Sequence, residues 1–193
     1  VPKAEKKSHL WERQDADWYR EPRWTSERLF AAERFVGSIW DPACGGGNII
    51  DAGQAAGLNI GGSDLVNRRD MAPRFIFNFL EQNPLWADGC ENMVFNPPFS
   101  LALPFVERAL KITERKVAAL LPIRWLCGEK RAIWLQTTPL ARVYMLTPRP
   151  SMPPGNLLAN DFNPQGGKVD FCWFVWHQGY EGEPALRWLR RDK

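Results

Sequence analysis

The sequence predicts an α/β fold: a mostly parallel, seven-stranded sheet with helices on both faces. Three observations carry that prediction. Short apolar strands alternate with segments of helical apolar spacing from residue 38 to residue 146. The stretch 117–122 (VAALLP) is apolar throughout, as expected of a strand covered on both sides. Glycines 45–47 stand between the first strand and the helix behind it, where ligands of such sheets approach the main chain. With 45% hydrophobic and 24% charged residues over 193 positions, the composition suits one globular domain with a sizeable core and excludes a disordered chain.

Residues 1–24, polar and charged with interspersed Trp, read as an N-terminal extension ahead of a single domain over 25–193. A helix is expected over 25–36, where Leu29, Phe30, Ala32 and Phe35 fall at helical spacing and Gly37 ends the run. A strand at 38–41 leads through the glycines into a helix from about 48 to 56, ended by Gly57. The second strand, 59–63, runs into Asp64; 75–80 (FIFNFL) gives the third and 92–96 the fourth. Next come a helix at 101–113, the apolar strand 117–122, a helix at 125–136 and a strand at 142–146. Residues 147–168 hold five prolines and three glycines and read as a long functional loop. The strand 169–176 (VDFCWFVW) then precedes a short basic tail.

Several classes drop out on composition. No apolar run approaches a membrane span, and the N-terminal residues lack the apolar core of an export signal, so a cytoplasmic location without membrane association is expected. Four scattered cysteines without a C-x-x-C, and two histidines, support neither a metal site nor a disulfide framework. Most of the ten tryptophans are expected to be core, with some available for stacking.

Two motifs carry chemistry. Asp41-Pro42-Ala43-Cys44-Gly45-Gly46-Gly47-Asn48 lies between a strand and a helix, so its glycines permit a sharp turn and the helix offers N–H groups to a ligand. Asp64 follows Gly47 by 17 residues and ends the next strand, where a carboxylate can accept hydrogen bonds from ribose hydroxyls. Together they indicate an adenosine-containing cofactor. Ile50 breaks the dinucleotide fingerprint, and no Gly-Lys-Ser/Thr follows, so NAD and ATP hydrolysis are both disfavoured. Asn96-Pro97-Pro98-Phe99 follows the fourth strand at the carboxyl edge. Its prolines fix the backbone and remove two donors. The Asn96 amide oxygen and a Pro carbonyl can then accept hydrogen bonds from one –NH₂ group, with Phe99 as a stacking ring.

This order, DPACG, an acidic residue ending the second strand, then NPPF, resembles the S-adenosylmethionine-dependent amino-methyltransferases. It is most similar to N6-adenine DNA methyltransferases, in particular restriction-system modification subunits and small phage-type adenine methylases. The resemblance spans roughly residues 18–146. It implies a Rossmann-like class I methyltransferase fold and S-adenosylmethionine as cofactor. It further implies direct methyl transfer to N6 of adenine in DNA, without a metal or covalent intermediate. Asn96, Pro97, Pro98 and Phe99 would be the catalytic set. Asp41, Ala43, Gly45 and Gly47 would line the methionine part of the cofactor, with Asp64 and Leu65 at its ribose and adenine. Asn78 and Phe79 stand in the family's stretch beside the adenine, with Asn in place of Asp. Trp24 and Thr25 match the family's N-terminal cofactor motif, with Ser26 in place of Pro.

Related motifs serve enzymes that methylate RNA guanine or protein glutamine, which gives the alternative targets. The family's separate target-recognition domain has no counterpart here. That motivates a second class of reading, a non-catalytic cofactor-binding subunit that needs a specificity partner. Charge bears on the target as well. Residues 101–152 contain nine basic and three acidic side chains, whereas the whole chain is only +3. Arg124 and Arg149, with the basic tail, are the candidates for contact with nucleic-acid phosphates.

Overall fold

The computed structural model describes residues 19–67, 75–81, 90–153 and 167–192. Helix α1 (Trp24–Ala32) is followed by β1 (Ile39–Asp41), α2 (Asn48–Ala55), β2 (Ile60–Asp64), β3 (Phe75–Ile76) and β4 (Cys90–Phe95). Then come α3 (Ala102–Ile112), β5 (Thr113–Pro122), α4 (Glu129–Gln136), β6 (Leu140–Thr147), β7 (Phe171–His177) and β8 (Ala185–Arg190). The strands form one sheet in the order β3-β2-β1-β4-β5-β7-β6-β8. All pairings are parallel except those of β7, which runs antiparallel between β5 and β6.

Period-two alternation sends each strand's side chains to two cores. Met93, Phe95, Val117, Ala119, Leu121, Phe174 and Trp176 meet Phe105, Val106 and Ala109 of α3 and Leu135 of α4 on one face. Val94, Ala118, Leu120, Trp173 and Val175 meet Leu29 of α1 and Ile49 and Ile50 of α2 on the other. Helices therefore cover both faces, as expected. Trp173 and Trp176 are fully buried, with indole N–H groups donating to the Thr25 carbonyl (3.0 Å) and to Thr138 Oγ1 (3.0 Å).

The expectation of seven strands needs one correction: the basic tail contains β8, paired parallel to β6 at the sheet edge. Other boundaries move for identifiable reasons. Helix α1 stops at Ala32 instead of running to 36, because Glu33 turns extended (φ −119°) and buries its carboxylate. The expected helix 125–136 is broken at Gly128 into a 3₁₀ turn (Ile123–Cys127) and α4. The third strand keeps only Phe75 and Ile76, since 79–81 turn toward the site. Of the long loop, 154–166 lie outside the described residues; its ends approach each other so closely that a Cβ on Gly167 would meet the Pro150 carbonyl. No helix among the described residues is long and apolar enough to cross a membrane.

Candidate functional site

The carboxyl ends of β1, β2 and β4 lie side by side at the centre of the sheet, where the connections diverge to opposite faces. A cavity of about 400 Å³ opens there. Its wall includes Ala43, Gly45 and Gly46 after β1, Asp64 and Leu65 after β2, and Asn96 and Pro98 after β4. Asn78 and Phe79 complete one side, and Tyr19, Arg20 and Glu21 complete the other. The two sequence motifs, 55 positions apart from Asp41 to Asn96, are thereby brought to one place.

The glycine loop is laid tightly on the end of β2. Cys44 N–H donates to the Ser63 carbonyl (2.9 Å), and Gly45 N–H donates to Asp64 Oδ2 (2.8 Å). A side chain on Gly62 would strike the Asp41 carbonyl at 2.8 Å, so glycine is required for this approach. Gly47 turns the chain into α2 in the left-handed region (φ 81°), a conformation that favours glycine; it shapes the loop without lining the cavity. Asp64 also accepts from Val66 N–H at Oδ1 (3.0 Å). Both its oxygens thus brace backbone. Leu65 is 58% exposed and presents an apolar flank. Asn78 Oδ1 closes a local turn by accepting from Leu80 N–H (3.1 Å), while Phe79 packs on Phe105 (5.1 Å).

Two polar atoms here are buried without a hydrogen-bond partner among the described residues: Asp41 Oδ2 and Asn96 Oδ1. Asp41 Oδ1 accepts from Ala43 N–H (3.0 Å). Burial pushes the Asp41 carboxyl well above the usual range, and the nearby Glu21 and Asp64 charges push it further. Asn96 spends its amide nitrogen on the Tyr19 carbonyl (3.0 Å) and Glu21 Oε2 (2.9 Å). Burial likewise raises Glu21, to about 7, against the lowering effect of a backbone hydrogen bond, Asn96 and Arg20.

Several predicted residues sit elsewhere. Trp24 and Thr25 do not line the cavity; Thr25 is buried with its hydroxyl on the Pro22 carbonyl (2.9 Å). Phe99, expected as an open stacking ring, is flanked by Tyr19 (5.6 Å, 16° between planes) and by Phe171 (5.6 Å). Pro97 is buried and does not line the cavity, whereas Pro98 does. Arg124 is exposed on the 3₁₀ turn after β5, away from the cavity wall. Arg149 pairs with Asp170 (2.6 Å), joining the two ends of the long loop. No cluster of His, Cys, Asp or Glu suited to a metal occurs among the described residues.

Sequence reasoning missed Tyr19, Arg20 and Glu21. Arg20 lies over Gly46 and donates to Asn48 Oδ1 (2.7 and 3.1 Å), its backbone N–H reaches the Pro153 carbonyl (3.0 Å), and Asn48 Nδ2 returns a bond to the Glu21 carbonyl (2.6 Å). The one signal for this segment is Pro22, fixing an extended approach to α1.

No family model matches the chain, and no curated protein matches it in sequence. Solved structures do match in fold. A provisionally assigned RNA methyltransferase from Pyrococcus horikoshii aligns over 80% of this chain and 81% of its own, with TM-score 0.53 and 12% identity. A modification subunit provisionally assigned to a type I restriction enzyme of Vibrio vulnificus aligns over 86% of this chain, with TM-score 0.52 and 14% identity. This chain spans 45% of that subunit. A protein from Lactococcus lactis provisionally assigned as a hemolysin aligns over 84% of this chain and 91% of its own, with TM-score 0.55 and 14% identity. At such identities the shared property is the fold, that of class I methyltransferases.

Proposed function

We propose that this chain transfers the methyl group of S-adenosylmethionine to an exocyclic amine, and that the amine is N6 of adenine in DNA. The observation that carries the reading is Asn96, which holds a buried acceptor oxygen without a partner at the carboxyl edge beside two prolines.

The cavity fits the cofactor. Its size falls within the range of small-molecule sites. Among the described residues of its wall, Glu21, Asp64 and Glu81 outnumber Arg20, so the lining favours a cation, and S-adenosylmethionine carries net positive charge. Asp41 Oδ2 is an acceptor waiting for a charged donor such as the cofactor's ammonium. Asp64 and Leu65 provide an acceptor and an apolar flank for ribose and adenine, and Arg20 is the cation available to a carboxylate.

When bound, the cofactor supplies a methyl group on a sulfonium: the new N–C bond forms as the S–C bond breaks, sulfur keeps the electron pair, and the amine proton passes to solvent. The chain's own part is placement and electrostatics. Asn96 Oδ1 and the neighbouring backbone carbonyl accept the two amine N–H bonds, orienting the nitrogen lone pair toward the cofactor. Phe99 supports the ring, which requires Tyr19 to yield its place on that face.

A second reading is supported by a specific observation. Likeness to less than half of a modification subunit suits a chain that draws target recognition from a partner. Labelled S-adenosylmethionine offered to DNA, RNA and protein pools tests both. N6-methyladenine in DNA, lost in Asn96→Ala while calorimetry still shows cofactor binding, is the expected result. Label in RNA or glutamine-bearing protein corrects the target, and cofactor bound with no pool labelled supports the partner-dependent subunit.

A further inference from the structure

An asparagine amide has one donor end and one acceptor end, and its chemistry reverses if the two exchange places. Two groups settle the matter at Asn96. The Tyr19 carbonyl can only accept, and Glu21 Oε2 takes the second N–H, so both donor positions are consumed on one side. The acceptor end is what remains, and it is Oδ1 that lacks a partner. Glu21 is 7% exposed and reaches Asn96 from 75 residues away in sequence. Burying a carboxylate there is costly, and no step derived above uses it.

We propose that Glu21 is a positioning residue: it holds the Asn96 amide nitrogen so that Oδ1 faces the reacting amine, and its carboxylate polarises that oxygen. The proposal rests on the methyl-transfer reading of the cavity. A charged acceptor on the N–H side draws electron density toward Oδ1, strengthening it as an acceptor. That gain matters most when the attacking nitrogen becomes positive. The groups around Glu21 are Arg20 on its own segment, Asp41 at the end of β1, Asp64 at the end of β2 and the neutral Asn96 amide after β4. With its carboxyl raised to about 7, Glu21 gains its charge as pH rises through neutrality.

The test follows the Asn96 side-chain NH₂ resonances of the ¹⁵N-labelled full chain across neutral pH, assigned by their loss in Asn96→Asp. The wild type is expected to show an inflection near pH 7, absent in Glu21→Gln and retained in Asp41→Asn. An inflection that survives Glu21→Gln, or a wild-type Asn96 that does not titrate, overturns the proposal. Should Glu21→Gln fail to fold, Glu21→Asp keeps the charge but withdraws it by one methylene, and is expected to weaken the inflection.

This readout needs no substrate, so it stands apart from the methyl-transfer reading. With single-stranded, adenine-containing oligonucleotides and saturating labelled S-adenosylmethionine, Glu21→Gln is expected to lower kcat by about ten- to a hundredfold with the KM for the oligonucleotide changed by less than about twofold. It should also remove the rise in rate through pH 7. An unchanged kcat overturns the proposal. Loss of methyl transfer in the wild type, with the Asn96 inflection present, refutes the methyl-transfer reading while the amide's positioning stands.

Discussion

At the end of β1 a carboxylate is 1% exposed, with one oxygen on the Ala43 N–H and the other unpartnered. A carboxyl raised by burial binds its proton more tightly folded than unfolded. Its stability contribution is therefore greatest below the ordinary carboxylate range and falls as pH climbs toward the raised value. At neutral pH Asp41 thus weakens the ligand-free protein. Asp41→Asn should raise the melting temperature of the ligand-free chain while weakening S-adenosylmethionine binding about ten- to a hundredfold, measured by calorimetry. A variant that destabilises the free chain and binds normally would refute this account. Asp41 and Asn96 were legible in the sequence because each ends a strand beside glycine or proline, where backbone geometry betrays a site. Glu21 and Tyr19 were not, because nothing local distinguishes them from a polar lead-in; their role appears only when the chain before α1 folds across β4.

Elements are held by another buried carboxylate, which meets β5 at Lys116 and β6 at Arg142, in their amino-terminal halves and away from the carboxyl edge where the cavity opens. Glu33, just past α1, accepts from Lys116 of β5 (2.5 Å) and from Arg142 (2.6 and 2.8 Å) and Tyr144 (2.9 Å) of β6. Burial alone would raise its carboxyl, but the Arg142 and Lys116 bonds outweigh burial and hold it below the ordinary value. The stabilisation is present above the unfolded value of 4.5 and is lost as pH falls through the lower folded value. Glu33→Ala strands two cations and a phenol, and is expected to cost about 3–5 kcal/mol by chemical denaturation at neutral pH. That loss should shrink in acid; a constant loss would argue against the ion cluster. The same scale shows why some elements escaped reading. In β8 Leu186 and Trp188 point outward (54% and 62% exposed) while Leu189 is buried, so the apolar residues do not mark its inner face. The run 75–80 alternates like a strand, yet Phe79 leaves the sheet for the α3 core. Strands β5 and β7 were legible because burial on both faces leaves continuous apolar runs, and β4 because its Met93–Phe95 end is apolar and leads into Asn96.

Over the whole molecule, the basic run 101–152 proves to be largely engaged within the chain. Lys116 and Arg142 serve Glu33, Arg115 faces Glu91 (3.4 Å), and Arg149 pairs with Asp170. Arg131 bonds the Trp125 carbonyl and covers its ring, and Arg108 lies over Phe79. Lys111, Arg124 and Lys130 are exposed. Electrostatic grip on nucleic acid should accordingly be slight. Binding of a single-stranded oligonucleotide, followed by fluorescence anisotropy, is expected to vary with salt with a log–log slope of about −2 to −3. A much steeper slope would show that the internal pairs open to meet phosphates. The cavity itself carries the opposite sign, and on the proposed function this has a consequence for turnover. The cofactor arrives cationic and, once its methyl group has gone, the sulfur is neutral. The acidic side chains of Glu21, Asp64 and Glu81 in the cavity wall attract the fresh molecule more strongly than the spent one. Giving up the methyl group thereby loosens the product's own hold, and the cavity is biased toward exchange rather than product inhibition.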